Sequence, residues 1–162
     1  MPTLTSYNPV DHSPVGDVPL TAPDDIPALV ARARGAQPRL GRARARRPPR
    51  PAPRRRRRMV DAAERVGRQL TREMGKPLRE GIGEVRYTGA GLADENSTWM
   101  VDALRSHEVV DRHTRSTLSY RPLGVCAAIA PWNFPFSMPH WMVLPALMAG
   151  NTVVLKPSKR PR

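Results

Sequence analysis

The sequence predicts an α/β fold, a helical N-terminal half followed by one strand–helix–strand unit. Three observations predict it. GVCAAIA at 124–130 is a continuous apolar run, as in a parallel strand covered on both faces, where the usual alternation is lost. FSMPHWMVLPALMAG at 136–150 is apolar and ends on Gly150, the pattern of a helix with Ser137 as its cap and Pro139 in its first turn. NTVVLKP at 151–157 is short and β-branched, as a second strand is. Strand, helix and strand within about 30 residues make a βαβ unit with parallel strands and a right-handed crossover.

The elements before this unit come in order. Residues 1–31 read as an extended lead-in, with the turn residues of a short hairpin in NPVDHSPVGDVPL and a helix start in TAPDDIPALVARA, where Thr21 is the candidate cap. Residues 32–58 hold thirteen arginines, five prolines and one large apolar residue, Leu40. So little apolar surface does not offset the ordering entropy, and the segment is expected to be disordered. Residues 59–74 regain helical spacing through Met59, Ala62, Ala63, Val66, Leu70 and Met74. Gly75 and Pro77 end that helix and start another over 78–104, whose four glycines make it dependent on a packing partner. RSTLSYRPLG at 115–124 alternates and reads as a strand closing the 59–122 region, with 123–162 as the last unit. A kink is expected near Trp141, because Pro145 lies inside its helix.

Net charge of +13 points towards nucleic acid or a membrane surface. Its distribution argues otherwise. Thirteen of the 27 basic residues lie in 32–58, leaving 14 against 14 acids elsewhere. No aromatic residue is interleaved there to stack on bases. Only non-specific, salt-sensitive phosphate binding is expected, as an alternative function. The apolar stretch 123–155 is interrupted by four prolines, Asn133 and His140. Its longest helical piece is shorter than the roughly 20 residues a bilayer needs, so no membrane partner is expected. One cysteine, Cys126, and no signal peptide point to a reducing, cytoplasmic setting. The four histidines lack metal-ligand spacing, so no metal site is expected.

In a parallel sheet, ligands sit beyond the carboxyl ends of the strands. The crossover sets the ends of both strands on one edge, bringing Asn133 and Lys156 together beside Trp132. An amide N–H can stabilise a developing oxyanion, and an ammonium can meet a sugar or phosphate. Singly, each residue reads equally as a turn asparagine or a solvated strand end.

The residues PLGVCAAIAPWNFPFSMPHWMVLPALMAGNTVVLKPS at 122–158 resemble the start of the cofactor domain of NAD(P)-dependent aldehyde dehydrogenases. LTREMGKPLREGIGEV and YNPVDHSPVGDVPL resemble that family's earlier segments. The resemblance implies an incomplete aldehyde dehydrogenase-like fold, N-terminal helices plus the first βαβ of a Rossmann-like cofactor domain. It implies Asn133 as the oxyanion donor. It sets Ile129, Ala130, Pro131 and Trp132 along the nicotinamide of NAD or NADP, and Lys156, with Ser158 nearby, at the adenosine ribose. The implied reaction oxidises an aldehyde to a carboxylic acid. The family's nucleophilic cysteine and general-base glutamate lie downstream of its KPS motif, so these 162 residues are expected to be inactive alone. Cys126 does not match the nucleophile, Glu73, Glu80 and Glu84 read as solvated helix faces, and Lys159 replaces a common ribose-binding glutamate. Frameshifted translation is one expected origin for 32–58 and the final KRPR. Homo-oligomers, or pairing with a full-length homologue through the strand at 115–122, are possible assemblies.

Overall fold

The computed structural model describes residues 2–46, 53–91 and 95–158. The lead-in forms the expected hairpin. β1 (Thr3–Tyr7) pairs antiparallel with β2 (Pro14–Pro19). Its turn is built by side chains, with the Asn8 carboxamide oxygen accepting the Val10 N–H and the Asp11 carboxylate accepting from Ser13. Thr21 is not a helix cap. Ala22 precedes a 3₁₀ turn over Pro23–Asp25, without a side-chain cap.

Within 32–58, the described residues 32–46 and 53–58 are helical, which corrects the expected disorder there. α1 runs Ile26–Arg46 and α2 begins at Pro53, while residues 47–52 lie outside the described residues. Two physical terms favour the helix. Arginine is nearly as good a helix former as alanine. The segment also carries a stripe of half-buried residues at helical spacing: Leu29, Val30, Ala33, Gln37, Leu40 and Gly41. Small and polar groups in that stripe suit the sheet beneath it. The Ala33 carbonyl accepts the Thr152 hydroxyl at 2.9 Å, and the Gln37 amide donates to the Gly150 carbonyl at 3.2 Å. Arg32, Arg34, Arg39 and Arg42 are exposed, where water screens their repulsion.

The single helix expected over 59–74 is divided. α2 (Pro53–Asp61) meets α3 (Ala63–Met74) at Ala62. Gly75 ends α3 at φ 72°, the left-handed conformation that glycine adopts without strain. α4 (Leu78–Gly91) then folds back on α3, and α5 (Glu95–Ala103) follows. Gly81 and Gly89 of α4 do find a partner, while Gly83 faces open space. A Cβ on Gly67 of α3 would lie 2.6 Å from the Ile82 nitrogen, and one on Gly81 would lie 2.7 Å from the Gly67 carbonyl. The two helices therefore touch backbone to backbone, and Ala63, Leu70 and Val85 form a buried cluster beside that contact.

β3 (His107–Val110) pairs antiparallel with β4 (Arg115–Leu118). β3 was not expected, and β4 stops at Leu118 rather than running to 124. The turn is closed by Asp111, whose carboxylate accepts the His113 and Thr114 N–H groups at 2.7 Å each. Those bonds hold its carboxyl below the ordinary aspartate range. β5 (Val125–Ile129) and β6 (Thr152–Lys156) are parallel, joined through α6 (Ser137–Met148), as predicted. The expectation that β5 is covered on both faces is corrected: only Ala128 is buried, and Ile129 is 64% exposed. The described residues contain just these two strands in that sheet. Asn151 joins the unit's ends: its side-chain oxygen accepts the Gly124 N–H at 2.9 Å, and its amide donates to the Ala146 carbonyl at 3.2 Å. No helix among the described residues is long and apolar enough to cross a membrane.

Candidate functional site

The carboxyl edge of the parallel pair is set by register. Ile129, the last residue of β5, lies opposite Lys156, the last of β6. The buried Ala130 continues the ladder, donating its N–H to the Lys156 carbonyl at 3.1 Å. Pro131, Trp132 and Asn133 then leave the sheet on this edge, all exposed. Lys156 is exposed too, its ammonium 3.2 Å from the Pro157 carbonyl, and Ser158 is half-buried just beyond.

These expected residues divide into two groups. Ile129, Ala130 and Lys156 are neighbours in the ladder. Trp132 and Asn133 line a cavity of about 620 Å³ between α4 and the start of α6, and Lys156 does not. The two strand ends share one edge, and of the residues beyond it Trp132 and Asn133 border the cavity. The chain therefore offers a polar amide in an aromatic cavity and, alongside, an exposed apolar strand end with a cation. An exposed Ile129 next to Trp132 and Lys156 suits a flat ring followed by a sugar hydroxyl or phosphate. These residues fit a nicotinamide dinucleotide.

The cavity contains groups that sequence reasoning missed. Tyr87 and Trp141 form aromatic walls, and Lys76 and Glu84 form a charged one. The reading of Glu84 as a solvated helix face is corrected. Its side chain is 2% exposed and 2.6 Å from the Lys76 ammonium, which is itself 12% exposed. Glu84 falls in the stripe Gly81, Glu84, Val85, Thr88, all buried. A carboxylate on a buried helical stripe must have a partner, and that was the available signal. Glu73 is half-buried and accepts from the Gln69 amide at 2.6 Å, whereas Glu80 is exposed as expected.

α6 departs from expectation at its start. Ser137 is the first helical residue, not the cap, and Phe136 occupies the cap position without a side-chain hydrogen bond. The Ser137 hydroxyl is buried against the Thr88 hydroxyl of α4, at 2.6 Å. Glu84 supplies the missing acceptor, taking the Phe136 N–H at 3.0 Å and the Ser137 N–H at 2.9 Å. Further along α6, burial lowers the His140 pKa from its ordinary value, and its Nε2 has no hydrogen-bond partner among the described residues. Cys126 is half-buried within β5, opposite Val153. No group of three or more metal-ligating side chains occurs among the described residues.

Comparison with known proteins gives the family and the fold. Residues 2–161 match the family model of the aldehyde dehydrogenase family. N-succinylglutamate 5-semialdehyde dehydrogenase of Chromobacterium violaceum is 30% identical over 156 residues, 96% of this chain and 32% of its own length. The mitochondrial succinate-semialdehyde dehydrogenase of Arabidopsis thaliana is 40% identical over 104 residues, 62% of this chain and 19% of its own. Among solved structures, an aldehyde dehydrogenase of Brucella melitensis biovar abortus 2308 superposes with a TM-score of 0.81 at 28% identity, covering 98% of this chain and 33% of that one. An NADP-dependent enzyme of Escherichia coli gives 0.79 at 29% identity, again covering 98% and 33%. The chain thus spans between 19% and 33% of the length of these relatives. With its βαβ unit, its helical lead-in and a family match over nearly every residue, this chain belongs to the aldehyde dehydrogenase family and has an incomplete form of that α/β fold.

Proposed function

We propose that this chain carries the oxyanion amide and one wall of the dinucleotide site of an NAD(P)-dependent aldehyde oxidation. The observation that carries this is the parallel register of β5 and β6. It sets Ile129 opposite Lys156 and leaves Asn133 just past the strand end, lining an aromatic cavity. Attack on an aldehyde builds negative charge on its oxygen. The Asn133 carboxamide donates an N–H to that oxygen. Ile129, Ala130, Pro131 and Trp132 orient the nicotinamide, and Lys156 with Ser158 holds the ribose. The dinucleotide, when bound, supplies the two-electron oxidant.

The nucleophile is not among these 162 residues. Their one cysteine, Cys126, is fixed in β5 with its backbone in the ladder, away from the cavity lining. The chain by itself is therefore expected to bind and orient without turning over. The substrate class follows from the family, an aldehyde. Relatives named for succinate semialdehyde make that compound the first probe.

Titrating NADP⁺ into the ¹⁵N-labelled chain tests the cofactor edge. Shifts should be confined to the amides of Ile129, Ala130, Trp132, Lys156 and Ser158, and Lys156→Ala should abolish them. Shifts centred elsewhere, or none at millimolar cofactor, refute the assignment. Succinate semialdehyde with NADP⁺ should give no reduced cofactor. Aldehyde-dependent reduction by the pure chain would show that these residues suffice for the chemistry.

A further inference from the structure

We propose that Lys76 and Glu84 are positioning residues for Asn133, a buried ion pair that mounts the segment presenting its amide. The proposal rests on the oxyanion reading of Asn133.

α6 begins without a cap of its own. The first N–H groups of a helix have no partner within it, and a polar cap side chain ordinarily serves them. Here the cap residue is Phe136, and the first turn contains no acid. Pro139 has no N–H to satisfy. The Met138 N–H goes to the Phe134 carbonyl at 3.0 Å. The Phe136 and Ser137 N–H groups remain, and both are taken by one oxygen of Glu84, more than fifty residues earlier in the chain. A carboxylate at this position also meets the positive end of the helix dipole.

Glu84 is in turn held by Lys76. The second carboxylate oxygen lies 2.6 Å from the ammonium. That ammonium also donates to the Asn133 backbone carbonyl at 3.2 Å and sits 4.9 Å from the centre of the Phe134 ring. One ion pair therefore grips residues 133, 134, 136 and 137. A local serine or aspartate cap would satisfy the same donors but leave the segment tied only to its own helix. This arrangement ties it to α4 and to the turn before α4.

The grip stops short of the functional group. The Asn133 carboxamide makes no hydrogen bond among the described residues, although its carbonyl is fixed. The backbone is held and the side-chain donor is left for a ligand, as positioning of an oxyanion donor requires.

Amide hydrogen exchange and side-chain amide spectra of the 162-residue chain test this without any need for turnover. Glu84→Ala should speed exchange at Phe136 and Ser137 by about tenfold or more beyond any change at Leu70 and Val85, since charge-assisted bonds are lost there. Glu84→Gln keeps an acceptor and should restore much of that protection. Lys76→Met should shift the Asn133 and Phe134 resonances, the Asn133 side-chain amide included, while Phe136 and Ser137 stay protected. If Glu84→Ala fails to fold, the Gln and Met variants carry the test. Unchanged exchange at Phe136 and Ser137, an unmoved Asn133 amide in Lys76→Met, or a uniform loss of protection across the chain overturns the proposal. These outcomes are independent of the cofactor titration, so either reading can fail alone.

Discussion

Gly67→Ala should destabilise the chain although it inserts a better helix former. In an exposed helix, Gly→Ala gains about 1 kcal/mol. At Gly67 the new Cβ would sit 2.6 Å from the Ile82 nitrogen, 2.7 Å from its Cα and 2.7 Å from its Cγ1. Ordinary contact begins near 3.4 Å, so about 0.8 Å of separation is missing. Two of the three obstructing atoms belong to the backbone, so no rotamer change relieves them. α4 must move outward, and Val85 moves with it, away from Ala63 and Leu70. Overpacking of this kind costs typically 1–3 kcal/mol or more, which outweighs the propensity gain. Gly83→Ala is the matched control, in the same helix pair but with nothing within 4 Å of the added Cβ. It should stabilise by about 0.5–1 kcal/mol. Urea unfolding followed by far-ultraviolet circular dichroism reads both. The Gly67→Ala midpoint should fall and the Gly83→Ala midpoint should rise. If both rise alike, the backbone-to-backbone contact of α3 and α4 is wrong.

Asn151→Ala should cost about 1–3 kcal/mol by chemical denaturation, because the Gly124 N–H loses its acceptor at a residue that is 5% exposed. Gly75→Ala should lose about 1–2 kcal/mol in the same assay, from its φ of 72° and a Cβ 2.9 Å from the Pro9 ring, with Gly75→Asn losing less to backbone strain. Burial lowers the His140 pKa below 6.5, so as pH falls past that value the unfolded chain takes up the proton first. Stability should therefore drop with pH below about 6.5 and be flat above it on this account, and His140→Leu should remove that slope. The Asp11 and Asp111 carboxyls are held below 3.8 by local hydrogen bonds, so their contribution is present above that value and lost further into acid.

Legibility followed the range of the interactions. The βαβ unit was readable because its signals are local: an apolar run, a glycine stop and a β-branched run, each within about ten residues. Gly75 was readable for the same reason. α1 was not, because its apolar stripe consists of Ala33, Gln37 and Gly41 as much as Leu29, Val30 and Leu40. Small residues that suit close packing against Thr152 and Gly150 do not register as hydrophobic periodicity. β3 was missed because HEVV is short and wholly exposed, and its strand character comes from pairing with β4. β5 misled in the opposite direction. Its run of seven apolar residues fits a strand covered on both faces, and the described residues cover only part of it. At the candidate site, Trp132 and Asn133 were singled out in the sequence and line the cavity, whereas its charged wall was not singled out. Lys76 and Glu84 look ordinary in sequence, and only the folding of α4 onto α6 gives Glu84 two backbone donors.

That mount links the site to the helical half of the chain. Phe136, whose N–H is held by Glu84, also packs its ring against the cluster of Ala63, Leu70 and Val85. Glu84 and Val85 are adjacent in α4, one facing α6 and the other facing α3. Thr88, one turn on, binds Ser137. The position of Asn133 thus depends on where α4 lies, and α4 is placed by the glycine contact with α3. A displacement of α4 by Gly67→Ala should appear as shifts at Phe136, Ser137 and the Asn133 amide, while the β1–β2 hairpin turn at Asn8 and Asp11 stays unchanged. Helices 59–91 are then more than a cover for the βαβ unit. Through Lys76 and Glu84 they hold the backbone of the segment that carries Asn133, and a ladder that is correct in register is not sufficient to place that segment.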